Sequence, residues 1–132
     1  MADDTRDIYH LVTQPEFTRN RRGATYTPST FAADGFIHCS TRTSTLAVAD
    51  DYFGSFDEAL LLLEIDRSRL SSPVVFEAAA PIVGGGTDHL STASTFPHVY
   101  GVLNLDAVSG VAVLKKQNGK FVWPEKWRTL DE

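Results

Sequence analysis

Asp34-Gly35-Phe36-Ile37-His38-Cys39-Ser40-Thr41 is the stretch on which the reading of the chain turns. Asp-Gly is a turn signal, and Phe36 and Ile37 follow at once, as at the start of a short strand. A strand alternates faces with every residue, so Phe36, His38 and Ser40 share one face and Ile37 and Cys39 the other. Ile37 and Cys39 suit a core, where Cys39 would be buried and unreactive. His38 and Ser40 are a polar pair two residues apart. A polar group buried without a partner costs roughly 1–3 kcal/mol. Either both find partners, as a satisfied buried histidine beside a helix-capping serine, or their face lines a cleft.

The flanks fit that strand between helices. Upstream, Ala24 to Thr27 reads as extended, and Pro28 opens a helical turn through Ala33 with Thr27 as its cap. Downstream, Thr43-Ser44-Thr45 supplies caps for a helix in which Leu46, Val48, Ala49, Tyr52 and Phe53 recur at helical spacing, ended by Gly54. That helix would start just past His38 and Ser40, where unpaired N–H groups can receive an anion such as a pyrophosphate.

Further out, Ile8-Tyr9-His10-Leu11-Val12 predicts a first strand with His10 among apolar neighbours. Thr13 and Glu16 form a capping-box pattern with Pro15 in the first turn, predicting a helix to about Arg22 that stops at Gly23. Arg19, Arg21 and Arg22 at its end read as a solvated basic terminus or a phosphate contact. Glu58 to Ile65 is an apolar strand covered on both faces. Asp66 to Leu70 is a turn, and Val74 to Ala79 another strand. Residues 81–94 read as a loop; its Gly84-Gly85-Gly86 run lacks the spacing of a dinucleotide fingerprint and is read as mobile or as closing over a ligand. A strand from Phe96 continues through Leu105, with His98 and Tyr100 on one face. Asn118-Gly119 marks a hairpin between Val111–Lys115 and Lys120–Trp123.

The 132 residues suit one domain, 1–132, with its core at about 7–124. A net charge of −5 argues against a general nucleic-acid or anionic-membrane binder, although a local basic patch stays open. One cysteine excludes an internal disulfide and fits a reducing compartment. Neither an apolar N-terminal segment nor a run of about 20 apolar residues is present, so the expected location is cytoplasmic.

Three strands each carry a histidine with a hydrogen-bonding neighbour: Tyr9-His10, His38 with Ser40, and His98 with Tyr100. Histidine donates, accepts and changes charge near neutrality, so convergence of the three would make a polar cleft. No metal site is expected, because no HxxxH, HxH or CxxC pair anchors one. A Cys39 nucleophile fails because His38 lies on the opposite strand face, and Ser40 lacks a nucleophile-elbow motif. A histidine-lined cleft beside a helix N-terminus suits a phosphorylated or nucleotide ligand.

Ile8-Tyr9-His10, Gly35-Phe36-Ile37-His38-Cys39-Ser40 and Pro97-His98-Val99-Tyr100-Gly101 together resemble the bacterial domain-of-unknown-function 952 family, over roughly Asp7 to Pro124. The resemblance implies an α+β fold similar to ADP-ribosyltransferases, a split, curved, mixed β-sheet with a few short helices, closest to the branch of the RNA 2′-phosphotransferases. It implies NAD as the cofactor, a small-molecule nucleotide as partner, and ADP-ribosyl transfer or NAD glycohydrolysis as the chemistry. His10, His38 and Ser40 would be the catalytic set, and Tyr9, Thr41, His98 and Tyr100 would help bind the ligand. Transferases of that superfamily carry a glutamate where this chain has His98-Val99-Tyr100. That departure favours the alternative, a non-catalytic sensor or interaction module that kept the fold.

Overall fold

The computed structural model describes residues 6–55, 59–78 and 95–130. The architecture is α+β, with short helices around antiparallel sheets. At its centre, β1 (Asp7–Thr13) pairs along its whole length with β5 (Leu60–Asp66), and β5 pairs with β9 (Val108–Val113). The β5 apolar run is explained by two cores, one on each face. Ile8, Val12, Leu61, Leu63 and Ile65 pack into the larger one, while Tyr9, Leu60 and Leu62 pack into the other.

The remaining strands form smaller sheets. β4 (Ile37–His38) pairs with β7 (Thr95–Val99), and β7 with β6 (Val74–Ala78). β3 (Thr25–Tyr26) lies between β2 (Arg21–Arg22) and β8 (Leu103–Asn104). β10 (Lys115–Gln117) and β11 (Lys120–Val122) make the expected hairpin, with Asn118 and Gly119 at φ 54° and 82°. That pair of left-handed residues is what a two-residue turn matching strand twist requires. Every ladder among the described residues is antiparallel, where a mixed sheet was expected.

Among the described residues three α-helices form: α1 (Gln14–Asn20), α2 (Phe31–Asp34) and α3 (Thr45–Phe53). The α1 helix stops before Arg22, because Arg21 and Arg22 pair with Tyr26 and Thr25 and carry Gly23 into a hairpin turn. The capping box does not form. The Thr13 side chain makes no cap bond, and the Glu16 carboxylate instead meets Arg19 and Ser29. Thr30, not Thr27, precedes α2, and the Gly35 N–H closes that helix on the Phe31 carbonyl at 2.7 Å. The expected strand from Phe96 to Leu105 breaks after Val99, and its continuation joins β3 as β8. At the break, a Cβ on Gly101 would stand 2.3 Å from the Ser72 hydroxyl oxygen, so only glycine lets the chain pass.

No helix among the described residues is long and apolar enough to cross a membrane. Glu58, Ala79, the Gly84–Gly86 run and His89 lie outside the described residues.

Candidate functional site

The polar face of the Phe36–Ser40 stretch lies where two sheets part. Ser40 belongs to the central sheet: it exchanges backbone hydrogen bonds with Tyr9 at 2.9 and 2.8 Å. Two residues earlier, His38 is already paired with His98 of β7. The chain thus leaves β1 within two residues, and a gap opens beside the β1 edge. Tyr9 turns its N–H and C=O toward Ser40, and the two-residue repeat turns those of Leu11 the same way. Neither Leu11 group has a partner among the described residues. The gap is a cleft of about 270 Å³, whose lining includes His10, Leu11, Glu16, Ser29, His38 and Phe53.

His10 spans the parting strands. Its Nδ1 lies 2.7 Å from the His38 carbonyl and its Nε2 2.9 Å from the Tyr26 hydroxyl. A carbonyl only accepts, so Nδ1 carries the proton and Nε2 accepts from Tyr26. Burial lowers the His10 pKa from 6.5 to about 4. The ring is therefore neutral at pH 7 and ties β1 to β4 and β3, with both nitrogens engaged inside the protein. The same burial raises the Tyr26 pKa, so its phenol keeps the proton that it donates.

His38 is held differently. Its Nε2 stands 2.7 Å from an oxygen of Asp34, the last residue of α2. In the neutral ring that nitrogen donates, which leaves a lone pair on Nδ1, and Nδ1 has no partner among the described residues. Beside it is a second imidazole–carboxylate pair: His98 Nδ1 donates to Glu77 at 2.7 Å, and the Tyr100 hydroxyl donates to the same oxygen. The two imidazoles meet edge-on with centroids 5.8 Å apart, and Phe36 stacks on His98 at 4.0 Å. Burial lowers the His98 pKa, against the pull of Glu77. The hydrogen bonds from Tyr100 and His98 lower that of Glu77.

Glu16 is the carboxylate in the cleft lining. Burial would raise its pKa, but hydrogen bonds from the Ser29 hydroxyl and N–H and from Arg19 outweigh this and hold it below the usual carboxylate value. Cys39 packs into the larger core as expected but also borders the cleft beside His38, and burial raises its thiol pKa. Among the described residues no group of three or more His, Cys, Asp or Glu side chains is placed to hold a metal.

The structure thus brings His10, His38 and Ser40 to one cleft, with Tyr9 at its border. The Tyr9 ring turns to the opposite face of β1, where its hydroxyl donates to Glu64 at 3.2 Å and its edge meets Trp123. Ser40 and Thr45 share a hydrogen bond of 2.8 Å, and the Thr41 carbonyl accepts from the N–H groups of Ser44 and Thr45, so this segment builds the start of α3. Thr41, His98 and Tyr100 do not line the cleft; His98 and Tyr100 form the neighbouring cluster with Glu77. Sequence reasoning missed four participants: Leu11 through its backbone, Glu16, Tyr26 and Asp34. Asp34, four residues before His38 in the opening stretch, carried a local signal. Glu16 fits the capping-box pattern in sequence and so points to a helix start, and Tyr26 carries no signal.

Residues 11–111 match a family described as "Protein of unknown function (DUF952)", and the chain belongs to it. The crystal structure of protein CC0527 from Caulobacter crescentus is similar, with a TM-score of 0.67 at 24% identity over 88% of this chain and 93% of that one. The solution structure of CC0527 gives 0.64 at 24% identity, over 88% and 90%. These likenesses bear on the fold. No curated protein matches the chain.

Proposed function

We propose that this member of the DUF952 family binds a nucleotide of the NAD or ADP-ribose type in the cleft between β1 and β4. The observation that carries the reading is the N–H and C=O of Leu11 at the strand edge in the cleft, without a partner among the described residues. A donor beside an acceptor is the complement of a carboxamide, which offers one of each. Val48 and Phe53 of α3 add apolar wall for a flat ring. Ser29, Thr30 and the Nδ1 lone pair of His38 supply partners for ribose hydroxyls. At about 270 Å³ the cleft suits the nicotinamide–ribose half, with the remainder of a dinucleotide outside it. The split between the sheets supports the likeness to ADP-ribosyltransferases.

Binding is the primary activity in this reading. A carboxylate that assists cleavage of the nicotinamide–ribose bond must be free to turn toward the sugar. Both oxygens of Glu16 are held, one by Ser29 and one by Arg19. That engagement favours the non-catalytic alternative.

Calorimetric titration with NAD, ADP-ribose, AMP and nicotinamide tests the proposal, with product analysis of the NAD mixture for released nicotinamide. NAD and nicotinamide are expected to bind. His38→Ala should weaken NAD by about 2- to 150-fold, the span for losing one neutral or charge-assisted hydrogen bond. If none of the four ligands binds at millimolar concentration, the nucleotide reading is wrong.

A further inference from the structure

The acidic total hides a basic surface. Residues 115–128 contain Lys115, Lys116, Lys120, Lys126 and Arg128 against Glu125, a net +4, while the whole chain carries −5 and the remainder therefore −9. This segment and β9 enclose a groove of about 560 Å³, lined by Lys115, Lys116, Lys126 and Arg128 together with Trp123 and Trp127. The groove shares no lining residue with the cleft, although both indoles contact the ring of Tyr9 of β1. Val111 of β9 and Arg128 exchange two backbone hydrogen bonds of 2.9 Å, which fixes the groove wall. Both indoles are half-buried, their centroids 6.1 Å apart. Arg42 lies over Trp123 at 4.8 Å and covers one part of that ring. Lys115 and Lys126 are exposed and have no partner among the described residues.

We infer that this groove binds single-stranded nucleic acid, with phosphates on Lys115 and Lys126 and bases against the exposed parts of the indoles. Cationic side chains that follow a backbone, interleaved with aromatic faces that accept any base, are the two parts of a sequence-tolerant single-strand site. An acidic peptide would use the charges and leave the indoles without a role. A bilayer would need the indoles on a protruding surface, and these line a concavity. The remaining −9 disfavours a polyanion over most of the rest of the protein.

The chain's two tryptophans both lie in the groove, so its intrinsic fluorescence reports occupancy. Titration with a ten-residue oligothymidylate at 50 mM salt should quench it. With about two phosphates neutralised, the log–log salt slope is expected near −1.4, or roughly 7-fold weaker binding at 200 mM. The double substitution Lys115→Gln, Lys126→Gln should leave the circular dichroism unchanged, remove most of the slope and weaken binding by roughly 60-fold at 50 mM salt. Three outcomes overturn the inference: no quenching at 0.1 mM oligonucleotide, a double variant with unaltered affinity and slope, or displacement by poly-glutamate or phosphatidylserine vesicles at equal charge. None depends on the NAD titration, which reads the other cleft.

Discussion

At pH 7 the neutral His10 ring holds β1, β4 and β3 together, and acid should loosen that junction. The native pKa of about 4 lies below the ordinary 6.5, so the unfolded chain takes up the proton first. The stability that follows from keeping His10 neutral is present above pH 6.5 and lost as the pH falls toward 4. Linkage across those two values gives a loss of about 2 kcal/mol between pH 7 and pH 5, with a ceiling of about 3 kcal/mol reached below pH 4. His98, whose pKa is also lowered, contributes with the same sign. A variant is therefore needed to isolate His10. His10→Gln can donate its amide N–H to the His38 carbonyl and accept from the Tyr26 hydroxyl, but it does not titrate. Urea unfolding of both proteins at pH 7 and pH 5 should show the wild type losing about 2 kcal/mol more than the variant. Equal losses would refute the argument, as would a His10 ring that titrates near 6.5 by NMR in the folded protein.

Tyr26→Phe should destabilise the protein by about 1–3 kcal/mol, because it leaves the buried Nε2 of His10 without its donor; denaturant midpoints at pH 7 check this. Cys39 should resist thiol reagents in the native state and react at once in urea, since it is 7% exposed and burial keeps its thiol protonated. Rapid labelling of the folded protein would place that strand in the wrong phase.

The sequence by itself determined whatever depends on near neighbours. Period-two alternation placed Ile37 and Cys39 in the core and His38 on the other face, because a strand's side-chain direction follows from backbone geometry alone. The unbroken leucines of β5 announced two buried faces, and Asn118-Gly119 specified its turn through backbone conformations that few other pairs adopt. The family was legible as well, in motifs around His10, His38 and His98. Tertiary structure alone decided which polar groups meet. His10 finds Tyr26 sixteen residues on, and His98 finds Glu77 twenty-one residues back. Such pairings depend on strand register and on where two sheets separate, which long-range packing sets. The same cause moved Glu16 from a helix cap into the cleft wall, ended α1 early to pair Arg21 with Tyr26, and broke the strand at Gly101 where Ser72 crosses. The free strand edge at Leu11 has no signature in sequence, because an unpaired backbone is the absence of a neighbour, and only the fold decides where a neighbour is lacking.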